Sequence, residues 1–147
     1  MKRFSFRLEK ILRYRAHREK TALRELFNAR HELLRRKEAV KRLSARRMEI
    51  TRQCSREGFR GMDVPRYQIY RSFLQRLDKD LEEADDGVKK GKEKVKAQEL
   101  TLREESIRKK SLESLKDLKL KRYLEAFERE TQKELDEIVL MRKGRIR

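Results

Sequence analysis

The sequence has no tryptophan, one proline, one cysteine and five glycines in 147 residues. Hydrophobic residues make up only 36% of the chain and charged residues 47%, which argues against a globular domain because too little apolar surface is available for a compact core. The single cysteine, Cys54, has no partner for an intramolecular disulfide, which fits a reducing cytosol. No apolar run approaches the roughly 20 residues that cross a bilayer. We therefore expect neither a membrane span nor a secretory signal.

The scarce helix-breaking residues are concentrated in one place. The only proline and two of the five glycines lie between Glu57 and Pro65, and the preceding 57 residues contain neither residue type. A glycine just past a helix end adopts the left-handed conformation without steric cost, so Gly58 is predicted to end a first helix. Proline is accepted in the first helical turn, so Asp63 or Val64 is predicted to cap a second helix.

The resulting prediction is an all-α fold of two long helices that form an antiparallel coiled-coil hairpin. The first helix is placed at about residues 5–57 with Ser5 as its N-cap, the turn at about 58–65 and the second helix at about 66–143. The whole chain, 1–147, is treated as one such hairpin. Outright disorder is the alternative, and the aromatic residues and periodic leucines count against it.

Apolar residues recur in both predicted helices at alternating steps of three and four residues, the spacing of a coiled-coil seam. In the first helix the seam consists of Leu8, Leu12, Ala22, Leu26, Ala29, Leu33, Val40, Leu43 and Ile50, continues at Cys54, and includes the polar residues Arg15, Glu19, Arg36 and Arg47. In the second helix it consists of Tyr70, Phe73, Leu74, Leu77, Leu81, Ala84, Val88, Val95 and Leu102. Because the period is not interrupted at Gly87 and Gly91, we expect a continuous second helix, although each glycine costs about 1 kcal/mol relative to alanine.

The charges are unevenly distributed. The net charge is +17, and residues 1–57 carry 19 Lys or Arg against 7 Asp or Glu. A turn centred near Gly61 would place the basic residues 35–42 opposite the acidic residues 78–86, and Glu19 opposite Arg103. Such charge pairing favours the antiparallel arrangement. The alternative is that the charge runs are merely solvated faces.

The same register places Phe4 opposite Leu118, so the second helix should extend beyond the N-terminus. Residues 119–143 would then project by about 37 Å, at 1.5 Å per residue. One face of this overhang is apolar and consists of Leu120, Leu124, Phe127, Thr131, Leu135, Ile138 and Met141. An amphipathic helix without an internal partner predicts an external one.

No signature of catalysis is present in the sequence. There is no glycine loop for phosphate and no nucleophile elbow. His17 and His31 are about 21 Å apart along one helix, so they cannot share a metal ion. We therefore expect no catalytic residues, no metal site and no cofactor.

Both ends of the chain resemble the flagellar export protein FliJ family. At the N-terminus the resemblance lies in Phe4-Ser5-Phe6-Arg7-Leu8-Glu9-Lys10-Ile11-Leu12. At the C-terminus it lies in Glu113-x-Leu115, Lys121-Arg122-Tyr123, Glu130 and Glu134-Leu135-Asp136-Glu137. The order and spacing of these motifs cover essentially the full length of the chain.

The resemblance implies a cytoplasmic antiparallel coiled coil similar to the gamma subunit of F-type ATPases. It also implies a non-enzymatic stalk that contacts the export ATPase hexamer, the membrane export gate and export chaperones, and that is held at the inner face of the cell membrane by these partners. The residues expected to meet the ATPase are Leu8, Leu12, Leu120, Tyr123, Leu124, Phe127, Leu135, Asp136, Glu137 and Ile138. Those expected to meet the export gate, near the turn, are Tyr67, Tyr70, Phe73 and Leu77.

Two alternatives remain at the level of sequence. One is a basic coiled-coil protein that binds nucleic acid, supported by the net charge alone. The sequence lacks the stacking aromatics of a single-strand groove and a zipper with a basic region, so no nucleic acid is expected. The other alternative is the equivalent stalk of a virulence type III secretion system, which has the same shape.

Overall fold

The computed structural model describes residues 2–146, which form two α-helices, α1 (Glu9–Arg60) and α2 (Val64–Arg145), and no strand. These residues group into two compact units. We call residues 2–20 with 103–146 the terminal unit, and residues 21–102 the turn unit. In each of them a stretch of α1 lies antiparallel to a stretch of α2. The predicted all-α helical hairpin is confirmed.

The turn between the helices is shorter than predicted and depends on a different glycine. Gly58 lies inside the last turn of α1, whereas Gly61 has a φ of 94° and its amide donates to the Gly58 carbonyl at 3.3 Å. Glycine adopts this left-handed conformation without the clash of a Cβ, so Gly61 ends the helix. Asp63 precedes α2 and its carbonyl accepts from the Tyr67 amide at 3.1 Å, which confirms the predicted cap, with Pro65 in the first turn.

The first helix begins later than predicted. Ser5 does not cap it: residues 2–6 are non-helical, residues 7 and 8 form a turn, and α1 starts at Glu9. The Glu9 amide donates to the Phe6 carbonyl at 3.1 Å, and the Phe6 ring is buried. Because the Phe6 ring packs against α2, residues 2–6 do not continue α1 toward the N-terminus. This tertiary contact outweighs the preference of Ser5 for the N-cap position.

The apolar core follows the predicted seams. Its most buried hydrophobic residues are Phe6, Leu12, Ala22, Leu26, Ala29 and Leu77, of which only Phe6 lies outside the predicted seams. The second helix is continuous through Gly87 and Gly91, as predicted. Gly91 is buried, and a Cβ built on it would lie 3.1 Å from Leu33 Cδ1, so its lack of a side chain allows close contact with α1.

The charge pairing follows the predicted direction but not every predicted pair. In the turn unit Asp78 of the predicted acidic segment forms an ion pair with Arg47, which lies five residues beyond the predicted basic segment. Arg36 instead donates to the Gly87 carbonyl at 2.6 Å, because the glycines leave room for its side chain across α2. In the terminal unit Glu19 pairs with Lys109 at 3.3 Å, rather than with Arg103.

Candidate partner-binding surfaces

The N-terminal segment of the terminal unit is anchored on α2 by aromatic contacts. The rings of Phe4 and Tyr123 lie 5.5 Å apart, and Phe127 follows at 6.5 Å from Tyr123. The Tyr123 hydroxyl donates to the Lys2 carbonyl at 2.9 Å, and Glu9 forms an ion pair of 2.9 Å with Lys116. These contacts set the position along α2 beyond which the N-terminal segment no longer covers the helix.

The predicted ATPase-contact residues from the first helix lie mostly inside this unit. Leu8 is half-buried and Leu12 is buried. Their side chains therefore support the packing between the helices and offer little surface to a partner. The exposed large hydrophobic residues of the N-terminal part are instead Ile11 and Tyr14, at 45% and 54% exposure. Tyr14 packs against the guanidinium groups of Arg15 and Arg18.

The C-terminal part of α2 carries an exposed apolar face. Every side chain from 128 to 146 is exposed. We call the predicted stripe the C-terminal face, and all seven of its side chains are exposed: Leu120, Leu124, Phe127, Thr131, Leu135, Ile138 and Met141. Val139 and Leu140 are exposed as well, and they lie off the stripe, so the helix is apolar on all sides over 138–141. The contiguous Ile-Val-Leu-Met run in the sequence was the signal for this wider surface.

Polar residues border the C-terminal face. Asp136 accepts a hydrogen bond of 3.1 Å from Gln132 on the preceding turn, and Glu137 is exposed. Both predicted acidic residues are thus accessible, and Asp136 is held in place by its own helix. The arrangement places fixed negative charge beside a large apolar surface.

The four predicted gate-contact residues near the turn differ in accessibility. Tyr67 is 53% exposed, Tyr70 and Phe73 are half-buried, and Leu77 is buried. The Phe73 ring lies 5.3 Å from the Arg46 guanidinium, a distance typical of a cation–π contact. Tyr67 is therefore the most available of the four, and Leu77 belongs to the core.

An ion pair joins the two helices beside the turn. The Arg66 guanidinium donates from Nη2 to Glu57 Oε1 at 2.9 Å, and its Nε lies 2.8 Å from Oε2. The neighbouring carboxylate raises the pKa of Arg66. Partial burial, followed by the hydrogen bond to Glu57, raises the pKa of Tyr70. The Glu57 carboxylate thus lies close to two side chains at the start of α2.

Sequence reasoning missed a groove beside the turn. Pro65, Gln68, Ile69, Ser72, Phe73 and Arg76 line this shallow groove on α2. Ile69 is 70% exposed and lies off the predicted seam. The groove gives the turn unit a concave surface lined by both apolar and polar side chains, with Phe73 among them.

Sequence reasoning also missed a buried carboxylate in the terminal unit. Glu105 is 4% exposed and lies within 4 Å of three arginines: Arg15 at 3.7 Å, Arg18 at 3.6 Å and Arg108 at 3.2 Å. The sequence predicted Arg15 on the seam but gave no acidic partner for it. The cluster neutralises a charge that would otherwise be costly to bury.

Within residues 2–146, no group of three or more His, Cys, Asp or Glu side chains is placed to hold a metal ion. The same residues include no helix that is both long enough and apolar enough to cross a bilayer.

The chain is similar to a known protein family. A family model described as "Flagellar FliJ protein" matches residues 4–146, a range that includes both helices and the N-terminal aromatic segment. No significant match was found among curated proteins or among solved structures. On the extent of this match, the chain belongs to the flagellar FliJ protein family.

Proposed function

We propose that this chain is a non-enzymatic coupling stalk of the flagellar type III export apparatus. In this proposal it links the export ATPase ring to the membrane export gate and escorts export chaperones. Family membership supports a role in flagellar protein export and favours the flagellar over the virulence system. The observation that carries the coupling role is the exposed C-terminal face of α2, at the opposite end of that helix from the turn.

The C-terminal face has the properties required of a stalk inside a ring of subunits. Phe127 and Leu135 are each about half exposed, so apolar side chains are available without unfolding. A ring that binds this face can be driven by the stalk only if its states bind the stalk with different affinities, because a ligand shifts an equilibrium by its differential affinity. Phe127, Leu135 and Ile138 would supply the affinity in this proposal, and Asp136 and Glu137 the orientation.

The turn unit supplies the second contact in the proposal. Tyr67 is accessible and Phe73 lines the groove beside the turn, which supports a contact with the export gate. The gate and the ATPase would hold the chain at the inner face of the membrane. Chaperone escort follows from the family resemblance and is assigned to no particular residue.

The proposal is tested by ATP hydrolysis with purified export ATPase and increasing amounts of the full chain. A saturable rise in the hydrolysis rate is expected, together with ring assembly seen by light scattering. An unchanged rate at saturating stalk, in conditions where the two proteins bind each other, contradicts the coupling role.

Binding to nucleic acid is the alternative function, and its support is the net charge of +17. A protein that contacts many phosphates shows a steep linear fall of log affinity with log salt. DNA retention measured across a salt series separates the alternatives. The coupling stalk is expected to lose DNA at moderate salt and to keep its binding to the ATPase.

A further inference from the structure

The outer side of α1 in the turn unit carries a row of exposed large apolar side chains. Leu23, Phe27, Leu34, Met48 and Phe59 are exposed by 56%, 70%, 53%, 57% and 96%. On a helix of 3.6 residues per turn they fall within about 60° of one another, although none belongs to the predicted seam. We call this row, with the basic residues between its members, the outer face of α1.

The charges on the outer face are almost all positive. Its sector contains five basic residues, Arg30, Lys37, Lys41, Arg52 and Arg56, and one acidic residue, Glu38, at its edge. Arg30 pairs with Glu99 at 3.2 Å. Within the described part of the chain, no carboxylate forms an ion pair with Lys37, Lys41 or Arg52. Apolar side chains and uncompensated positive charge therefore share one surface.

The geometry of the row indicates whether a flat surface or a helical partner would bind the outer face of α1. From Leu23 to Phe59 the row returns to the same angle after about ten helical turns, a straight line of roughly 54 Å. A helical partner would follow a seam of 3.5 residues per turn, which drifts by about 20° per heptad. A straight row suits a flat surface better than a supercoiled partner.

The mixture of apolar and basic side chains in the row further limits which partner can bind it. Nucleic acid is a poor partner, because a phosphodiester backbone offers no apolar surface to Phe27 and Leu34. A second copy of the chain is also a poor partner, because it would bring two positive faces together. An anionic bilayer surface accepts both kinds of side chain, since apolar groups enter the headgroup and acyl boundary while lysines extend to the phosphates. We propose that the outer face of α1 binds the surface of membranes that contain anionic phospholipid.

This inference is independent of the coupling role, because it assigns a lipid contact to the chain itself. The first test is sedimentation of the full chain with vesicles of phosphatidylcholine, with or without phosphatidylglycerol. We expect binding only with phosphatidylglycerol. A variant with Lys37→Gln, Lys41→Gln and Arg52→Gln should bind on the order of a hundredfold more weakly, since each basic residue at an anionic surface contributes roughly a factor of five.

The matched control removes the same three charges from α2. Arg76→Gln with Lys79→Gln and Lys90→Gln changes one arginine and two lysines that are exposed and have no ion-pair partner within the described part of the chain. These charges lie on the other helix, where salt screens them from a surface that contacts α1, so affinity should fall much less. Equal losses in the two triple variants would show that net charge alone causes binding, and the proposal would be wrong.

The second test uses the absence of tryptophan from the chain. Phe27→Trp places the only tryptophan of the chain on the outer face, and the tryptophan emission should shift to the blue when anionic vesicles are added. Ala97→Trp places the fluorophore at an exposed position on α2, where no shift is expected. If vesicles shift neither probe while an acidic amphipathic peptide shifts Phe27→Trp, the outer face docks a protein helix and the lipid assignment is overturned.

Discussion

The Tyr123 hydroxyl donates a hydrogen bond of 2.9 Å to the backbone carbonyl of Lys2. This bond joins the start of the chain to a point on α2 that lies 121 residues later. Because the Phe4 ring packs on Tyr123 at 5.5 Å, the tyrosine anchors the N-terminal segment by both its ring and its hydroxyl. From residue 127 onward every described side chain of α2 is exposed.

The Tyr123 anchor can be separated into its two parts by substitution. Tyr123→Phe removes the hydrogen bond and keeps the ring, so the free energy of unfolding should fall by about 1 kcal/mol. Tyr123→Ala removes both and should cost more. Hydrogen exchange of the Glu9 amide, which donates to the Phe6 carbonyl, should quicken in both variants. Protection unchanged in Tyr123→Ala would mean that Tyr123 does not hold this segment.

The C-terminal face is tested by Phe127→Ala combined with Leu135→Ala. Loss of two apolar contacts, at about 1.5–3 kcal/mol for each fully buried side chain, should abolish stimulation of the export ATPase at concentrations where the unmodified chain saturates. Helix content by circular dichroism should persist because both side chains are exposed. Leu100→Ala, an equally exposed leucine of the turn unit, is the control and should leave stimulation intact. Normal stimulation by the double variant would move the ATPase contact away from this face.

The contact proposed near the turn is tested by Tyr67→Ala and Phe73→Ala. Tyr67 is the more exposed residue, so its substitution should weaken binding to the cytoplasmic part of the export gate with less than 0.5 kcal/mol of destabilisation, a value typical of surface positions. Phe73→Ala should weaken binding and also lower the melting temperature slightly. If binding falls only in proportion to stability in both variants, the aromatic residues serve packing and the gate contact lies elsewhere.

The sequence predicts the helical core well because a buried seam has a strict period. Leu26, Ala29 and Leu77 were all predicted from spacing and all are buried. The same reasoning placed the end of the first helix at Gly58, whereas the left-handed residue is Gly61. Both glycines can adopt that conformation, and which one does so depends on contacts across the turn, such as that of Arg66 with Glu57.

The candidate surfaces were predicted less completely than the core. The exposure of Leu124, Phe127 and Leu135 follows from an apolar stripe that extends past the end of its partner helix. The burial of Glu105 could not be predicted, because a charged residue at such a position is acceptable only when the other helix supplies cations. Leu12 and Leu77 were predicted to contact partners because they match the family motifs. Both side chains are buried between the helices instead.

The two glycines inside α2 should respond differently to alanine. A Cβ at Gly87 would meet nothing closer than 3.9 Å, so Gly87→Ala should stabilise the protein by roughly 0.5–1 kcal/mol through helix propensity. At Gly91 the Cβ would lie 3.1 Å from Leu33 Cδ1 and 3.5 Å from Arg36 Cδ, so displacement of these groups should offset most of the gain. Chemical denaturation compares the two variants directly. A larger gain for Gly91→Ala would show that α1 yields easily at Leu33.

The Glu105 cluster should fix the pairing of the helices within the terminal unit. Glu105→Gln leaves Arg15, Arg18 and Arg108 without their shared anion and places an amide at a buried position. The free energy of unfolding should fall by about 1–3 kcal/mol, the usual cost of leaving a buried polar group badly partnered. The arginine side chains are between 30% and 52% exposed, so water can solvate them and the loss should stay below that of a fully buried pair.

The control for this cluster is Glu104→Gln, which removes the same charge from an exposed neighbouring position and should change stability by less than about 0.5 kcal/mol. Combining Glu105→Gln with Arg15→Gln gives a double-mutant cycle. We expect a coupling energy well above that of the Lys109–Glu19 pair, because Glu105 is buried whereas Glu19 is more exposed. Equal costs for Glu104→Gln and Glu105→Gln would show that the cluster is only one more surface ion pair. The register would then depend on Phe6, Leu12 and the other apolar residues alone.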